Sequence, residues 1–578
     1  MTWYFTDLPR FRAEREHLDG FAHGVDWLTP IGWRLDNNMR LVFDADLFAG
    51  GRVYPIFLQY PSQFPDTPPS VYPRGDNSRW STHQFGAGGE LCLEFGPDNW
   101  TPDMTGVQMI ESAHRLLDSE NPVPDERGIV ASRHVTTLGQ SLRIEHNRLL
   151  VTRELQMFLS GVPVEVPLIG NLLLAYHKAQ SVNVIDKVTL TDGQSWTDLG
   201  VPTQFALELL ERPVSIFRLP ETADLPPTGN LQEFKAACAV LGFQAGHTYA
   251  VLLKGSGIYA YFLWGKDNSV SEVGIIPAQP EMPRLDASHE ILKSKQVALI
   301  GCGSLGGKLG TMLARSGVGR FFLVDDDVLL PDNFVRNDLD WRDVGTHKAD
   351  AVARRMQLVN PAVETRIRRV QLAGQEASGG AETVLKTLSE CDLIFDATAN
   401  PDVLNLVSAI AANSKKPVMW AEVFGGGIGG LIARYRPAIE PAPQYMRRAI
   451  ENWFAENGPP PIRSRRRYET DLEGDPLIAD DADVTAIAAH AARLTIDTLI
   501  TRDPSLFPHS VYAIGLGVGS VFTQPFETFP IDVGPAPAAE PEVVLSEEET
   551  AAEFAKIVNL FEARANEAAA TPENNPTP

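Results

Sequence analysis

Apolar and polar positions follow three different rhythms along this chain, and the changes of rhythm divide it. A charged stretch over residues 8–20 predicts a helix. WRLDN, MRLVFDADL and VYPIFLQY then alternate apolar with polar residues, the period of half-buried strands. A proline-rich stretch, YPSQFPDTPPSVYP, comes next. GGELCLEFGPDNWTP and a helix over 105–118 follow, and SENPVPDERG reads as a turn or linker. Residues 1–125 are therefore expected to form one α+β domain.

Residues 130–285 are less regular. A helix is expected near 141–160, followed by strands at VNVIDKVTLTD, VSIFRLP, YAVLLKG and YAYFLWG, with helical LQEFKAACAVLGF among them. The expectation is an α+β middle domain without an assignable motif. From 286 to 532 the rhythm changes to short, fully apolar runs separated by helical segments. VALI, FFLV, CDLIFDA and PVMWAEV are the runs, and a helix over 482–500 has a nearly all-apolar face. That alternation predicts a parallel sheet with crossover helices, an α/β domain. Residues 533–578 predict one acidic helix, 545–568, and a disordered end, ATPENNPTP. No internal repeat is visible.

Composition narrows the function class. The chain has 578 residues, 44% apolar and 21% charged, as an ordinary soluble globular protein of several domains would. No run of about 18 apolar residues suggests a membrane span. The N-terminus, MTWYFTDLPRFRAEREH, lacks the apolar region of a secretory signal. A formal net charge of −24 argues against nucleic acid as a partner of the whole chain. The basic run Arg463-Ser464-Arg465-Arg466-Arg467 is expected as a solvated loop. Cys92, Cys238, Cys302 and Cys391 are widely spaced with no CxxC, which argues against a four-cysteine zinc site and against a disulfide framework. A reducing, cytoplasmic setting is expected.

Chemistry enters first at Gly301-Cys302-Gly303-Ser304-Leu305-Gly306. These residues follow the strand VALI and open a helix, the order in which glycines let backbone approach a phosphate and free helical N–H groups receive it. The next strand, FFLV, ends in Asp325-Asp326-Asp327, where a carboxylate meets a ribose hydroxyl in such folds. The run VDDDVLLPDNFVRNDL and the later VGTHK resemble the adenylating enzymes of the ubiquitin-activating and sulfur-carrier-activating family, called ThiF-like. Asp325, Asp327, Asn333, Arg336 and Lys348 fall on that family's motif. The resemblance implies a Rossmann-like fold that binds ATP and Mg2+. Gly301, Gly303, Gly306, Asp325, Asp327 and Asn333 would hold the nucleotide, and Arg336 and Lys348 would stabilise charge at the α-phosphate. It also implies a homodimer through this domain. The family's D-x-T-D-N stands here as Asp396-Ala397-Thr398-Ala399-Asn400. The second carboxylate is missing, so Asp396, or the later Asp402, is left as the metal ligand. The loop cysteine of ubiquitin-activating enzymes is missing as well, and only hydroxyls such as Ser464 and Thr470 stand in that region.

The absent loop thiol directs attention to Cys92. Tyr60-Pro61 through Pro68-Pro69, then Gly89-Glu90-Leu91-Cys92-Leu93, then Trp100-Thr101-Pro102 resemble, in order and spacing, the core of ubiquitin-conjugating enzymes. That resemblance implies a conjugating-like fold with Cys92 as the thioester nucleophile. Where the family has His-Pro-Asn, this chain has Thr82-His83-Gln84. Gln84 and His83 are both candidates to stabilise the oxyanion, and both are candidates for plain loop support. Cys238, Cys302 and Cys391 are expected in cores.

Taken together, the resemblances imply a fused activating and conjugating enzyme, similar to bacterial conjugation enzymes of antiphage defence islands. Its carrier would be a ubiquitin-like protein or a cyclic-nucleotide synthase of the cGAS-like class, and its acceptor a protein lysine. The alternative is an adenylyltransferase whose conjugating-like domain is an inactive scaffold.

Overall fold

The computed structural model describes residues 2–75, 80–81, 83–85, 88–120, 137–164, 166–177, 180–201, 208–244, 246–277, 285–373, 378–461, 478–537 and 546–570. Thr82, most of the SENPVPDERG segment, the basic run with Ser464 and Thr470, and the end from 571 onward lie outside them. Contacts divide the chain into two compact units, Met1–His146 and Asn147–Pro578.

The first unit opens with the short helix Trp3–Thr6 and the longer helix Leu8–Gly24. Asp7 caps the longer one by accepting from the Arg10 N–H at 3.0 Å, and Pro9 sits in its first turn, where a missing N–H costs nothing. Four antiparallel strands follow in chain order: β1 (Leu28–Leu35), β2 (Leu41–Ala49), β3 (Arg52–Gln59) and β4 (Ser70–Pro73). Phe43, Ala45 and Leu47 from β2 and Tyr54, Ile56 and Leu58 from β3 point into one core. The helix Gly106–Glu120 covers that core with Met109, Ile110, Ala113, Leu116 and Leu117, three and four residues apart as one helical face requires.

The second unit holds two eight-stranded sheets. The earlier one runs from Asn147 to Ile276 and corrects one expectation. A helix near 141–160 was expected, yet Asn147–Leu150 is a strand, parallel to both Gln180–Thr189 and Ser269–Ile276. Pairing on both sides overrides local helical preference. The helix starts afresh at Arg153–Ser160, where the Thr152 hydroxyl accepts from the Leu155 N–H at 3.0 Å. Cys238 is fully buried in the helix Leu231–Ala239.

The later sheet carries the glycine loop. Its strands are β5 (Gln296–Ile300), β6 (Arg320–Val324), β7 (Glu364–Arg368), β8 (Leu393–Asp396), β9 (Val418–Val423), β10 (Gly429–Tyr435), β11 (Val511–Gly515) and β12 (Thr528–Ile531), in spatial order 7-6-5-8-9-10-11-12. The pairings from β7 to β9 are parallel, and those from β9 to β12 are antiparallel. The helices Ser304–Arg315, Lys348–Val359 and Asp481–Ile500 pack one face, and Pro401–Ser414 and Pro443–Asn457 the other. This is a Rossmann-like α/β sheet. Its strand order reverses between β5 and β8, and ligands of such sheets bind at the carboxyl ends of the strands flanking that reversal. No described helix is long and apolar enough to cross a membrane.

Candidate functional site

The carboxyl ends of β5 and β8 are where the sequence placed its nucleotide residues. Ile300 pairs with Asp396, so Gly301 and Ala397 leave the sheet side by side. Gly301 has φ +86°, and a Cβ there would press on Ala397 and Thr398 at about 3.1 Å. A Cβ on Gly306 would lie 1.9 Å from the Gly301 carbonyl oxygen. These two glycines are therefore required by the tightness of the turn. Gly303 differs: a Cβ on it would meet nothing within 4 Å, because it faces open space at the N-cap of Ser304–Arg315. Backbone open on that side, at a helix N-terminus, suits a phosphate.

Asp325 stands just beyond β6. Its carboxylate accepts from the Cys302 N–H at 2.6 Å and from the Asp327 N–H at 2.8 Å, which fixes the glycine loop against the second strand. Burial pushes its carboxyl above the usual range, opposed by those two amides and by Lys348. Lys348 begins the helix Lys348–Val359, and its ammonium lies 2.9 Å from the Asp327 carboxylate. Asp327, Lys348 and Asp325 are thus brought together. The Asn333 side-chain oxygen accepts from the Leu330 N–H at 3.1 Å, closing the turn Pro331–Val335, and Arg336 lies half-buried at the end of that turn. Cys302 is fully buried behind the loop and Cys391 fully buried before β8, both as expected of core cysteines.

Asp396 closes the other side. It is 2% exposed, its Oδ1 accepts from the Thr398 N–H at 2.9 Å and hydroxyl at 2.6 Å, and burial pushes it up to about 6. A pocket beside it is lined by Ala399, Asn400, Trp420, Glu422 and Arg447 among others. Asp402 is exposed in the first turn of the next helix. The donor chemistry fits a metal ion only in part. Among the described residues no three histidine, cysteine or acidic side chains gather as a metal cage. A single buried carboxylate suits Mg2+ that is shared with nucleotide phosphates and keeps several waters. Sequence reasoning missed Lys308, a buried lysine on the loop's own helix whose ammonium lies 2.6 Å from Asp481. Its only sequence signal is a charged residue on an otherwise apolar helical face.

In the first unit, Tyr60, Phe64, Leu91, Leu93 and Trp100, from the three spaced elements, share one core. The Trp100 indole N–H donates to the Pro65 carbonyl at 2.6 Å, and the Phe64 ring lies 5.0 Å from Tyr60 and 6.3 Å from Trp100. Cys92 follows the short strand Glu90–Leu91, which pairs antiparallel with Gln84–Phe85. Gln84 lies opposite Leu91, and both are buried. The Gln84 amide oxygen accepts from Trp80 and Ser81 N–H at 2.5 and 3.0 Å, and its nitrogen donates to the Gly89 carbonyl at 2.8 Å. Gln84 therefore braces the loop from the face opposite Cys92, and the oxyanion role considered for it finds no support in this placement. The Cys92 N–H donates to the His83 carbonyl at 2.7 Å, continuing the ladder by one pair, so His83 and Cys92 share a face. His83 Nε2 lies 3.2 Å from Glu120 Oε1, with both side chains largely buried. Cys92 is half-buried, whereas the other three cysteines are buried. Burial, then Glu90 and Glu120, push its thiol up to about 11. Glu120 was missed by sequence reasoning, because only the fold brings the end of its helix to this loop.

Residues 281–441 match the ThiF family model, so this segment is a ThiF-type domain. Curated relatives include the ATP-dependent ubiquitin transferase-like protein Cap2 of Pseudomonas aeruginosa, 34% identical over 125 residues, which are 21% of this chain and 20% of that one. Cap2 of Escherichia coli is 31% identical over 144 residues, 24% and 23% of the two chains. The adenylyltransferase and sulfurtransferase uba4 of Aspergillus fumigatus is 31% identical over 142 residues, 24% and 27%. The matches thus span about a fifth to a quarter of these relatives' own length. Among solved structures, E. coli MccB with ATP is 18% identical over 43% of this chain and 67% of that one, at a TM-score of 0.34, too slight a likeness to argue from.

Proposed function

We propose that the chain activates the C-terminal carboxylate of a ubiquitin-like or other small protein with ATP, receives it on Cys92 as a thioester, and passes it to an amine. The ThiF-type segment, with its open-faced Gly303 and the Asp325–Asp327–Lys348 group at the strand reversal, is the observation that carries the first step. The carrier carboxylate attacks the α-phosphate of ATP and pyrophosphate leaves. Lys348 and Arg336 offset the charge that grows on the phosphate oxygens. Gly301, Gly303 and Gly306 shape the phosphate loop, Asp325 takes the ribose, and Asp327 and Asn333 complete the wall. Asp396 would hold Mg2+, which when bound would neutralise phosphate charge.

The second step is supported by Cys92 being the one cysteine of the four that solvent reaches, just beyond the short strand Glu90–Leu91. Its thiol attacks the acyl adenylate and AMP leaves. A lysine amine of the acceptor then attacks the thioester, and the thiol is released. The conjugating-like reading of the first unit rests on the Tyr60–Pro65, Leu91–Leu93 and Trp100 elements sharing one core. Dimerisation through the ThiF-type segment, a cGAS-like synthase as carrier and a cytoplasmic, antiphage setting remain part of the proposal by resemblance.

A second reading is favoured by one observation. A thiol pushed up to about 11 is a weak nucleophile at neutral pH unless a base assists it, as an inactive scaffold domain would tolerate. ATP–pyrophosphate exchange with small proteins encoded beside this chain, followed by non-reducing gels, separates the two. Exchange with a thiol-labile adduct supports conjugation. Exchange with no such adduct supports the scaffold, and no exchange with any carrier removes the adenylation step.

A further inference from the structure

The pairing of Cys92 with His83, and of His83 with Glu120, has no counterpart in the motifs read from the sequence. The ladder Phe85–Glu90, Gln84–Leu91 continues to His83–Cys92 through the 2.7 Å bond from the Cys92 N–H. Residues directly opposite in an antiparallel pair point to the same side, with Cβ atoms about 4.5–5.5 Å apart. An imidazole and a thiol on such a pair come within reach of each other by rotation of their side chains. The far nitrogen of the ring, Nε2, is 3.2 Å from Glu120 Oε1, so the carboxylate fixes the ring from the other end. A nucleophile, a base beside it and an acid orienting the base form the arrangement that activates weak nucleophiles.

We propose that His83 carries the proton to and from Cys92 and that Glu120 positions it. This rests on the conjugation reading above. In loading, His83 takes the thiol proton as the Cys92 sulfur bonds to the acyl carbon and AMP leaves. In transfer, the acceptor amine bonds to the acyl carbon, the C–S bond breaks, His83 takes the amine proton and returns one to the sulfur. The thiol needs this help. Glu90, on the same face two residues before Cys92, and Glu120 both oppose a free thiolate, and burial adds to them. Glu90 is itself held by the Tyr72 hydroxyl at 3.0 Å, and among the described residues Glu90, Glu120 and Tyr72 are titratable groups around the pair. In the ThiF-type segment no comparable thiol exists, because Cys302 and Cys391 are fully buried.

The test uses the full-length chain and a small thioester, glycylglycine thioesterified to mercaptoethanesulfonate, so that neither ATP nor a carrier is needed. Acylation of Cys92 and its discharge to free lysine are followed by intact mass. Positioned proton transfer typically contributes about 10²–10⁴-fold. His83→Ala should slow both steps by about a hundredfold or more, and added imidazole should restore at least a tenfold part of the loss. Glu120→Gln should slow both steps about tenfold, with alkylation of Cys92 by iodoacetamide still proceeding. Unchanged rates in His83→Ala, or a loss that imidazole leaves untouched, overturn the relay while the conjugation reading stands. If wild-type Cys92 is alkylated yet takes no acyl group, the conjugation reading fails and the relay fails with it.

Discussion

A single alkylation experiment reads the environment of Cys92 directly. Burial and the carboxylates of Glu90 and Glu120 raise its thiol from an ordinary 9.0 to about 11. Well below both values, that leaves about a hundredfold less thiolate than an ordinary cysteine would have. Each remaining thiolate is more nucleophilic, by roughly six- to tenfold at a Brønsted slope of about 0.4–0.5. The net expectation is alkylation roughly ten- to sixteenfold slower than for an ordinary thiol at pH 7.5. Iodoacetamide labelling followed by intact mass reports Cys92 alone, because Cys238, Cys302 and Cys391 are all 0% exposed. The rate should keep climbing past pH 10, and Glu90→Gln should move the curve to lower pH. A plateau at or below pH 9, unmoved by Glu90→Gln, would refute the assignment of these groups around the sulfur.

Two further perturbations probe the ThiF-type segment. Gly306→Ala puts a methyl 1.9 Å from the Gly301 carbonyl oxygen, so the loop must open; ATP binding by calorimetry should fall at least tenfold, and unchanged affinity would contradict this geometry. Asp396 is raised from 3.8 to about 6, so the folded state holds a proton there that the unfolded chain has lost; the resulting stability is present below about pH 4 and disappears as pH rises through about 6, a cost of about 3 kcal/mol at neutral pH. Asp396→Asn, which keeps an acceptor for Thr398, should therefore raise the melting temperature of the nucleotide-free protein at pH 7.5 but not at pH 4, and should lose ATP–pyrophosphate exchange; equal gains at both pH values would count against the titration.

What could be read from the sequence was what is local. β5, the glycine turn and the helix Ser304–Arg315 are contiguous, so order and glycine spacing sufficed to place them. Asp327 and Lys348 were also recognisable by motif, and they meet in an ion pair. The strand Asn147–Leu150 was not legible, since two partners distant in sequence hold it extended. Nor was the choice between His83 and Gln84. Neighbouring residues in a strand face opposite sides, and only the register with Leu91 and Cys92 decides which of them shares the cysteine's face. Glu120 carried no signal at all, because nothing in the sequence joins the last turn of the helix Gly106–Glu120 to the loop before Cys92.

Conjugation through Cys92 is the central claim, and the bond it forms is the most direct thing to measure. With ATP and a carrier that supports exchange, the wild-type chain should give a covalent adduct that thiols cleave, while Cys92→Ser should give one that resists thiols and yields to hydroxide, as an oxygen ester does. A thiol-labile adduct that persists in Cys92→Ser would contradict the account.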